Sequence, residues 1–238
     1  MPDPSLNKSG SGTPKQTPLT FTIAPTIAEF SISPANLFTS RPDVQNLLGG
    51  TVIFRPASGS TPSDKTYETL LIRRAPSDSF PLKWEIPGGT ADPKVDHSII
   101  EVAVRELFEE TQLRARRLCC TVGLGLPNGI PNLALVGEAE EAKMDSEYNF
   151  CLLRVSGMTW AIVTFMTEIE DEQANIVLRE DEHVEWAWVT ETEAKNNRFE
   201  MASGRELEFV SEAMRLIVLE GFRLKKEMTQ GCDQNTPS

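Results

Sequence analysis

A chain of 238 residues, 39% apolar and 24% charged, has material for one sizeable core and the composition of an ordinary soluble globular protein. Its net charge of −12 excludes a surface built to hold long nucleic acid, which calls for basic residues. A small anionic substrate is compatible with that charge wherever cations neutralise the site locally. Cys119, Cys120, Cys151 and Cys232 form no Cys-x-x-Cys pair, and His97 and His183 are far apart, which argues against a zinc site. Cys119 and Cys120 fall in an apolar run and read as buried free thiols, so a reducing compartment, the cytoplasm, is expected. Asp3, Pro4 and Pro14 precede any hydrophobic stretch, so neither a secretory signal nor a membrane span is expected.

Residues 1–18 have the Pro/Ser/Gly/Lys/Thr composition of a disordered tail, and 19–45 form an N-terminal extension whose Phe21, Ile23, Ile27 and Phe30 add an edge strand or wrap the core. The main domain is expected over 46–228, with a tail at 229–238. Strands are predicted at 48–54 and 69–72, separated by a turn-rich segment. After Arg73 and Arg74 a loop leads to Trp84-Glu85-Ile86 and the turn Pro87-Gly88-Gly89. A helix over 96–112 follows, with Asp96 as N-cap and an apolar face of Ile99, Ile100, Ala103, Val104 and Leu107. Further strands are predicted at 117–124, 150–155, 160–169 and 184–189. Thr190 and Glu193 mark a capping box opening a short helix, and a longer helix is predicted over 206–227. Strands on both sides of one central helix, with another helix at the end, predict a mixed sheet covered on both faces.

Glu106, Glu109 and Glu110 are spaced i, i+3 and i+4 and so share one helix face. Such a face is commonly a solvated stripe. Here it follows a Trp-x-x-Pro-Gly-Gly turn, and Arg105 lies four residues from both Glu101 and Glu109, placed to orient either carboxylate. Diphosphate hydrolysis gives each part a reason. Divalent cations neutralise phosphate oxygens and acidify a bound water, Mg²⁺ takes oxygen ligands, and glycines let the backbone approach without a Cβ in the way.

At this point the chain resembles the Nudix hydrolase family, through Arg105-Glu106-Leu107-Phe108-Glu109-Glu110-Thr111-Gln112-Leu113 and, more weakly, over about residues 45–195. The resemblance implies a Nudix-type α/β/α sandwich with a mixed β-sheet and a pyrophosphohydrolase. Glu106, Glu109, Glu110 and the Gly88 carbonyl would hold Mg²⁺ or Mn²⁺, and Arg105 would serve the catalytic face. The general base would be Glu110 or Glu182, the latter otherwise a solvated loop acid. Arg73 and Arg74 would bind substrate phosphate, unless they are surface residues. His183 would pack or cap locally. Trp160, Tyr148 and Phe150 would stack a base or, as strand aromatics commonly do, fill the core. The partner implied is a small-molecule diphosphate, and the family often forms homodimers. Three departures stand out: two extra residues between Gly89 and Arg105, His97 where the signature has its first Glu (with Glu101 as a substitute on the same face), and Gln112 in place of the closing Gly. They motivate an alternative, a Nudix-fold binding or regulatory protein with weakened turnover. A third option, prenyl or isopentenyl diphosphate processing, would need a reactive cysteine that no cysteine's context supports.

Overall fold

The structure, a computed structural model, describes residues 20–61, 65–125, 141–145, 150–200 and 204–233. The expected N-terminal tail and Tyr148 lie outside these residues. A short strand β1 (Thr22–Ile23), a 3₁₀ segment (Pro25–Ser31) and helix α1 (Pro34–Ser40) precede two long strands, β2 (Asn46–Pro56) and β3 (Tyr67–Arg74). Two short strands, β4 (Trp84–Glu85) and β5 (Gly88–Thr90), lead into α2 (Ile99–Thr111). Then come β6 (Ala115–Thr121), β7 (Glu141–Met144), β8 (Cys151–Val155), β9 (Met158–Ile169) and β10 (His183–Thr190), followed by helices α3 (Glu191–Asn196) and α4 (Glu212–Asp233). Among the described residues no helix is long and apolar enough to cross a membrane.

The sheet runs β1-β6-β9-β2-β3-β10, with β2 parallel to β9 and antiparallel to β3, so it is mixed as expected. Alternation along β2 sends Ile53 into a core shared with Val102 and Leu107 of α2, and Val52 into a core shared with Val218 and Phe222 of α4. Helices therefore cover both faces. Edge-on ring contacts close each core, Phe30 with Phe165 at 5.3 Å on one side and Phe54 with Phe222 at 4.9 Å on the other. The extension over 19–45 does both things expected of it: β1 adds a parallel edge to β6, and Ile27, Phe30 and Leu37 are buried in the α2-side core.

Gly49 lets α2 sit close on β2. A Cβ there would lie 2.8 Å from Cγ1 of Val102 and 2.9 Å from the Ala103 amide nitrogen. Because the second neighbour is backbone, Gly49→Ala is expected to cost about 1–3 kcal/mol of overpacking. That is a fall of roughly 5 °C in Tm for a chain of this size. An unchanged thermal midpoint would show that the helix shifts freely.

Two helix starts differ from the sequence prediction. Ser98, rather than Asp96, caps α2 by accepting the Glu101 amide at 3.1 Å, because the Asp96 carboxylate is taken by Arg105. The last helix begins at Glu212, six residues late. Residues 205–209 are bridged instead, Glu206 to Arg198 and Phe209 to Trp84, with backbone bonds to Trp84 at 2.8 and 3.0 Å and Leu207 buried in the α4-side core. Apolar spacing alone cannot separate such a bridged segment from the first turns of a helix. The Thr190–Glu193 capping box forms as expected.

Candidate functional site

In the β2–β5 ladder, Thr51 donates to Pro87 at 2.9 Å and Ala91 donates to Leu47 at 2.9 Å, which makes Gly88 a position outside the paired bonds. Its N–H and C=O therefore both point away from β2. The N–H meets Oε2 of Glu110 at 2.8 Å. The neighbouring Gly89 makes room for Glu106, since a Cβ there would lie 2.5 Å from the Glu106 carboxyl carbon. Burial pushes the Glu110 carboxyl well above the usual carboxylate range, helped by the charge of Glu85 and opposed by the Gly88 N–H. Burial also raises Glu106, with Arg105 opposing it.

Arg105 organises the helix face. It donates to both oxygens of Asp96 at 2.8 and 3.0 Å, to Glu106 at 2.7 Å, to Glu109 at 3.1 Å and to the Thr90 carbonyl at 3.1 Å. One half-buried guanidinium thus holds two of the three helical carboxylates and the loop before the helix.

The third carboxylate belongs to a different group. Glu110, Glu182 and His183 place donor atoms within 4.8 Å of one another. The segment before Glu182 reaches this position by capping α2: Val177 donates to the Thr111 carbonyl at 3.1 Å and Arg179 to the Glu110 carbonyl at 3.3 Å. The Arg179 side chain then holds Glu182 at 3.1 Å and Asp181 at 3.3 Å.

His183 arrives through a strand irregularity. It pairs with Arg74 while Glu185 pairs with Arg73, so β10 carries one extra residue, Val184. Directly opposed residues share a face, so the bulge sets His183 and Trp186 on the same side as Arg74, Ile72 and Glu85. His183 Nε2 lies 3.2 Å from Glu85 and 3.7 Å from Glu110, and Glu85 accepts from Arg74 at 2.6 Å. The histidine packs as expected, but inside the acidic cluster. Its Nδ1 is buried and makes no hydrogen bond among the described residues.

The NUDIX domain profile matches residues 54–209, well over half the chain. The chain belongs to the Nudix family. No curated protein matches it. Similar solved structures include a MutT protein from Methanosarcina mazei Go1, with 18% identity, 78% of this chain and 97% of that one covered, and TM-score 0.46. A C. elegans Ap4A hydrolase shows 16% identity, 79% and 99% coverage and TM-score 0.44. The NUDIX domain of Shewanella oneidensis NrtR, solved with ADP ribose, shows 17% identity, 82% and 99% coverage and TM-score 0.46.

Set against the Nudix signature, the departures have local accounts. His97 is exposed, and its amide donates to Glu101 at 2.8 Å, so the Glu101 carboxylate closes the helix N-terminus. Gln112 takes the left-handed conformation of the absent Gly, at φ 61° and ψ 10°. That conformation costs a side-chain residue roughly 1 kcal/mol, and the Gln112 amide offsets part of it by donating to the Phe108 carbonyl at 3.0 Å. Arg74 is committed to Glu85, Asp78 and Ser79, and Arg73 to Glu185 and the Leu82 carbonyl. Phe150 is core, and Trp160 is half-buried on β9. Sequence reasoning gave no role to Glu85, Arg179 or Trp186. A charge inside the buried Trp-Glu-Ile run was the one available signal, for Glu85.

Proposed function

We propose that this Nudix protein is a metal-dependent pyrophosphohydrolase, cleaving a diphosphate linkage in a nucleoside diphosphate derivative or a similar organic pyrophosphate. The observation that carries the reading is the buried Glu110 carboxylate, held by the Gly88 N–H and facing Glu182, with Glu106 and Glu109 on the same helix face. A donor set of carboxylates and a backbone carbonyl fits a hard divalent cation, Mg²⁺ or Mn²⁺. Glu106, Glu109, Glu110 and the Gly88 carbonyl are assigned to hold it. Bound there, the cation would neutralise diphosphate oxygens and lower the pKa of a water.

The protein's own groups supply the rest. Arg105 fixes the Glu106 and Glu109 carboxylates, and Glu182 is the assigned general base, half-exposed at the mouth of the cluster and oriented by Arg179. Glu110 is the other candidate base, but its fully buried position favours the ligand role. Because Arg73 and Arg74 are tied to carboxylates, their expected contribution to phosphate binding passes to positioning: Arg74 holds Glu85, which holds His183.

The test is a panel of diphosphates (nucleoside diphosphate derivatives, dinucleotides, inositol pyrophosphates and prenyl diphosphates) incubated with Mg²⁺ or Mn²⁺ and scored for phosphate release. Glu109→Gln, at the half-exposed edge of the face, is expected to lower metal-dependent release about tenfold. Release that is unaffected by this change, or independent of the metal, would overturn the assignment. One observation favours a second reading, a binding protein with weakened turnover: the Glu101 carboxylate is engaged by the His97 amide. Calorimetry with Mn²⁺ separates the two, since the weakened form would bind no tighter than millimolar. The isomerase option loses ground, because burial pushes the Cys120 and Cys151 thiols up to about 11 and about 12, away from reactivity.

A further inference from the structure

Among the described residues, three arginines touch the acidic cluster, and two of them are fully engaged. Arg105 makes five donor bonds, to Asp96, Glu106, Glu109 and the Thr90 carbonyl, which is the whole capacity of a guanidinium. Arg74 makes four, through all three of its nitrogens, to Glu85, Asp78 and Ser79. Arg73 stands on the opposite face of the sheet, in register with Glu185 and Trp84. Arg179 differs. Its Nε faces Asp181 at 3.3 Å and its Nη1 faces Glu182 at 3.1 Å, which leaves Nη2 without a partner among the described residues. The Arg179 side chain is 43% exposed, against 15% for Arg105 and 18% for Arg74, so it alone of the three is open to an incoming ligand.

The backbone of Arg179 is as firmly placed as its side chain is free. Its amide donates to the Glu110 carbonyl at 3.3 Å, and its carbonyl accepts the amides of Glu182 at 3.0 Å and His183 at 2.8 Å. One residue is thus fastened to all three members of the buried group. The guanidinium is 3.1 Å from the Glu182 carboxylate, a Glu110 oxygen lies within 4.8 Å of that carboxylate, and the charge of Arg179 reaches Glu109. Electrostatics then decide what the free donor is for. A divalent cation on the carboxylates offsets negative charge where it sits, but a diphosphate carries two charged phosphates. The phosphate farther from the cation gains from a separate positive group. A planar guanidinium suits that task, since it keeps one edge on a carboxylate and gives another N–H to a phosphate oxygen.

We propose that Arg179 is a substrate-contacting catalytic residue: its Nη2 donates to the phosphate of the bound diphosphate that lies farther from the cation, while Nη1 keeps hold of Glu182. The arginine thereby sets the distance between the proposed base and the diphosphate. The assignment rests on the diphosphate reading of the site and adds a residue to it. It also carries a discrimination, because a diphosphate reaches both the cation and Arg179, whereas a monophosphate reaches the cation alone.

The test measures binding of two non-hydrolysable probes, methylenediphosphonate and methylphosphonate, to the full chain by calorimetry with Mg²⁺. Arg179→Gln is expected to lower the affinity for methylenediphosphonate roughly tenfold, the size of one lost charge-assisted hydrogen bond, and that for methylphosphonate by less than about twofold. Arg179→Lys, which keeps the charge but not the fork, should lie between the parent and Arg179→Gln, and it decides the matter if the glutamine variant does not fold. Mn²⁺ binding without phosphonate should stay within about twofold of the parent in both variants, which a general loosening of Glu182 would not allow. The proposal is overturned by an unchanged affinity for methylenediphosphonate, by an equal loss for both probes, or by a parallel loss of Mn²⁺ binding. Any of these in a protein that still turns over diphosphates removes the arginine contact alone. A parent that binds methylenediphosphonate no better than methylphosphonate overturns the contact together with the diphosphate reading. The expected pattern in a protein without turnover would remove the hydrolytic reading and leave the arginine contact standing.

Discussion

Glu110→Gln is expected to lower kcat/KM by about 10³-fold, some 4 kcal/mol of transition-state stabilisation, because it removes charge from a dry site designed around a cation. The same change should hold or raise the Tm of the metal-free protein. Glu110 is almost fully buried, its carboxyl is pushed up by that burial and by Glu85, and its ionised form is therefore a cost to the fold. A neutral amide keeps an oxygen to accept the Gly88 N–H and supplies N–H donors toward Glu85 and Glu182. Replacing a buried charge by a satisfied neutral group is neutral to stabilising, by about 1 kcal/mol or more. Steady-state kinetics with Mg²⁺ and thermal denaturation in a chelator read the two effects separately. Turnover within about tenfold of the parent would falsify the ligand role, and a large drop in Tm would show that Glu110 is instead a structural charge.

Gly89→Ala separates site from scaffold in another way. Gly89 has an ordinary extended backbone, so alanine brings no conformational strain of its own. The three atoms nearest its Cβ would all be the carboxyl end of Glu106, at 2.5 to 2.7 Å, and that end is a flexible side chain that can swing aside. The fold should therefore tolerate the change, with Tm within about 2 °C, while Glu106 leaves its place beside Arg105. A displacement of about 1 Å in a positioned group can cost 10²-fold in rate, which is the loss expected here, accompanied by weaker Mn²⁺ binding in calorimetry. Gly88→Ala makes the contrast. Its Cβ would meet the Gly49 carbonyl oxygen at 2.7 Å and the Gly50 Cα at 2.8 Å, both backbone, so stability and activity should fall together. If Gly89→Ala were fully active, Glu106 would have no part in holding the metal.

The parts of this site that were legible in the sequence are those set by local periodicity. The i, i+3, i+4 spacing does put three carboxylates on one turn of α2, and Arg105 does reach Glu109 four residues on, because helix geometry alone fixes those relations, whereas its contacts with Glu106 and Asp96 had no such signal and Glu101 accepts from the His97 amide. The strands and the Thr190 cap were equally local. Ser98 as N-cap was missed because Asp96, an equally good cap by residue type, had a stronger partner nine residues away in Arg105. The fall of the acidic residues into two groups, Glu106 with Glu109 and Glu110 with Glu182 and His183, depends on where the 176–182 segment docks. No periodicity encodes that. Nor does any pattern in β10 announce that Val184 is an extra residue, yet without the bulge His183 would face the side of Arg73 and Trp186 would be separated from it.

Docking of the 176–182 segment through the Val177 and Arg179 amides has a dynamic consequence. Those two donors satisfy carbonyls at the C-terminal end of the helix that carries Glu110, so the segment holding the proposed base cannot swing out without uncapping that helix. Loop and helix end open together or not at all, as one local-unfolding unit, and the separation between Glu182 and Glu110 is fixed on timescales shorter than that opening. The two acids behave mechanically as a single rigid jaw.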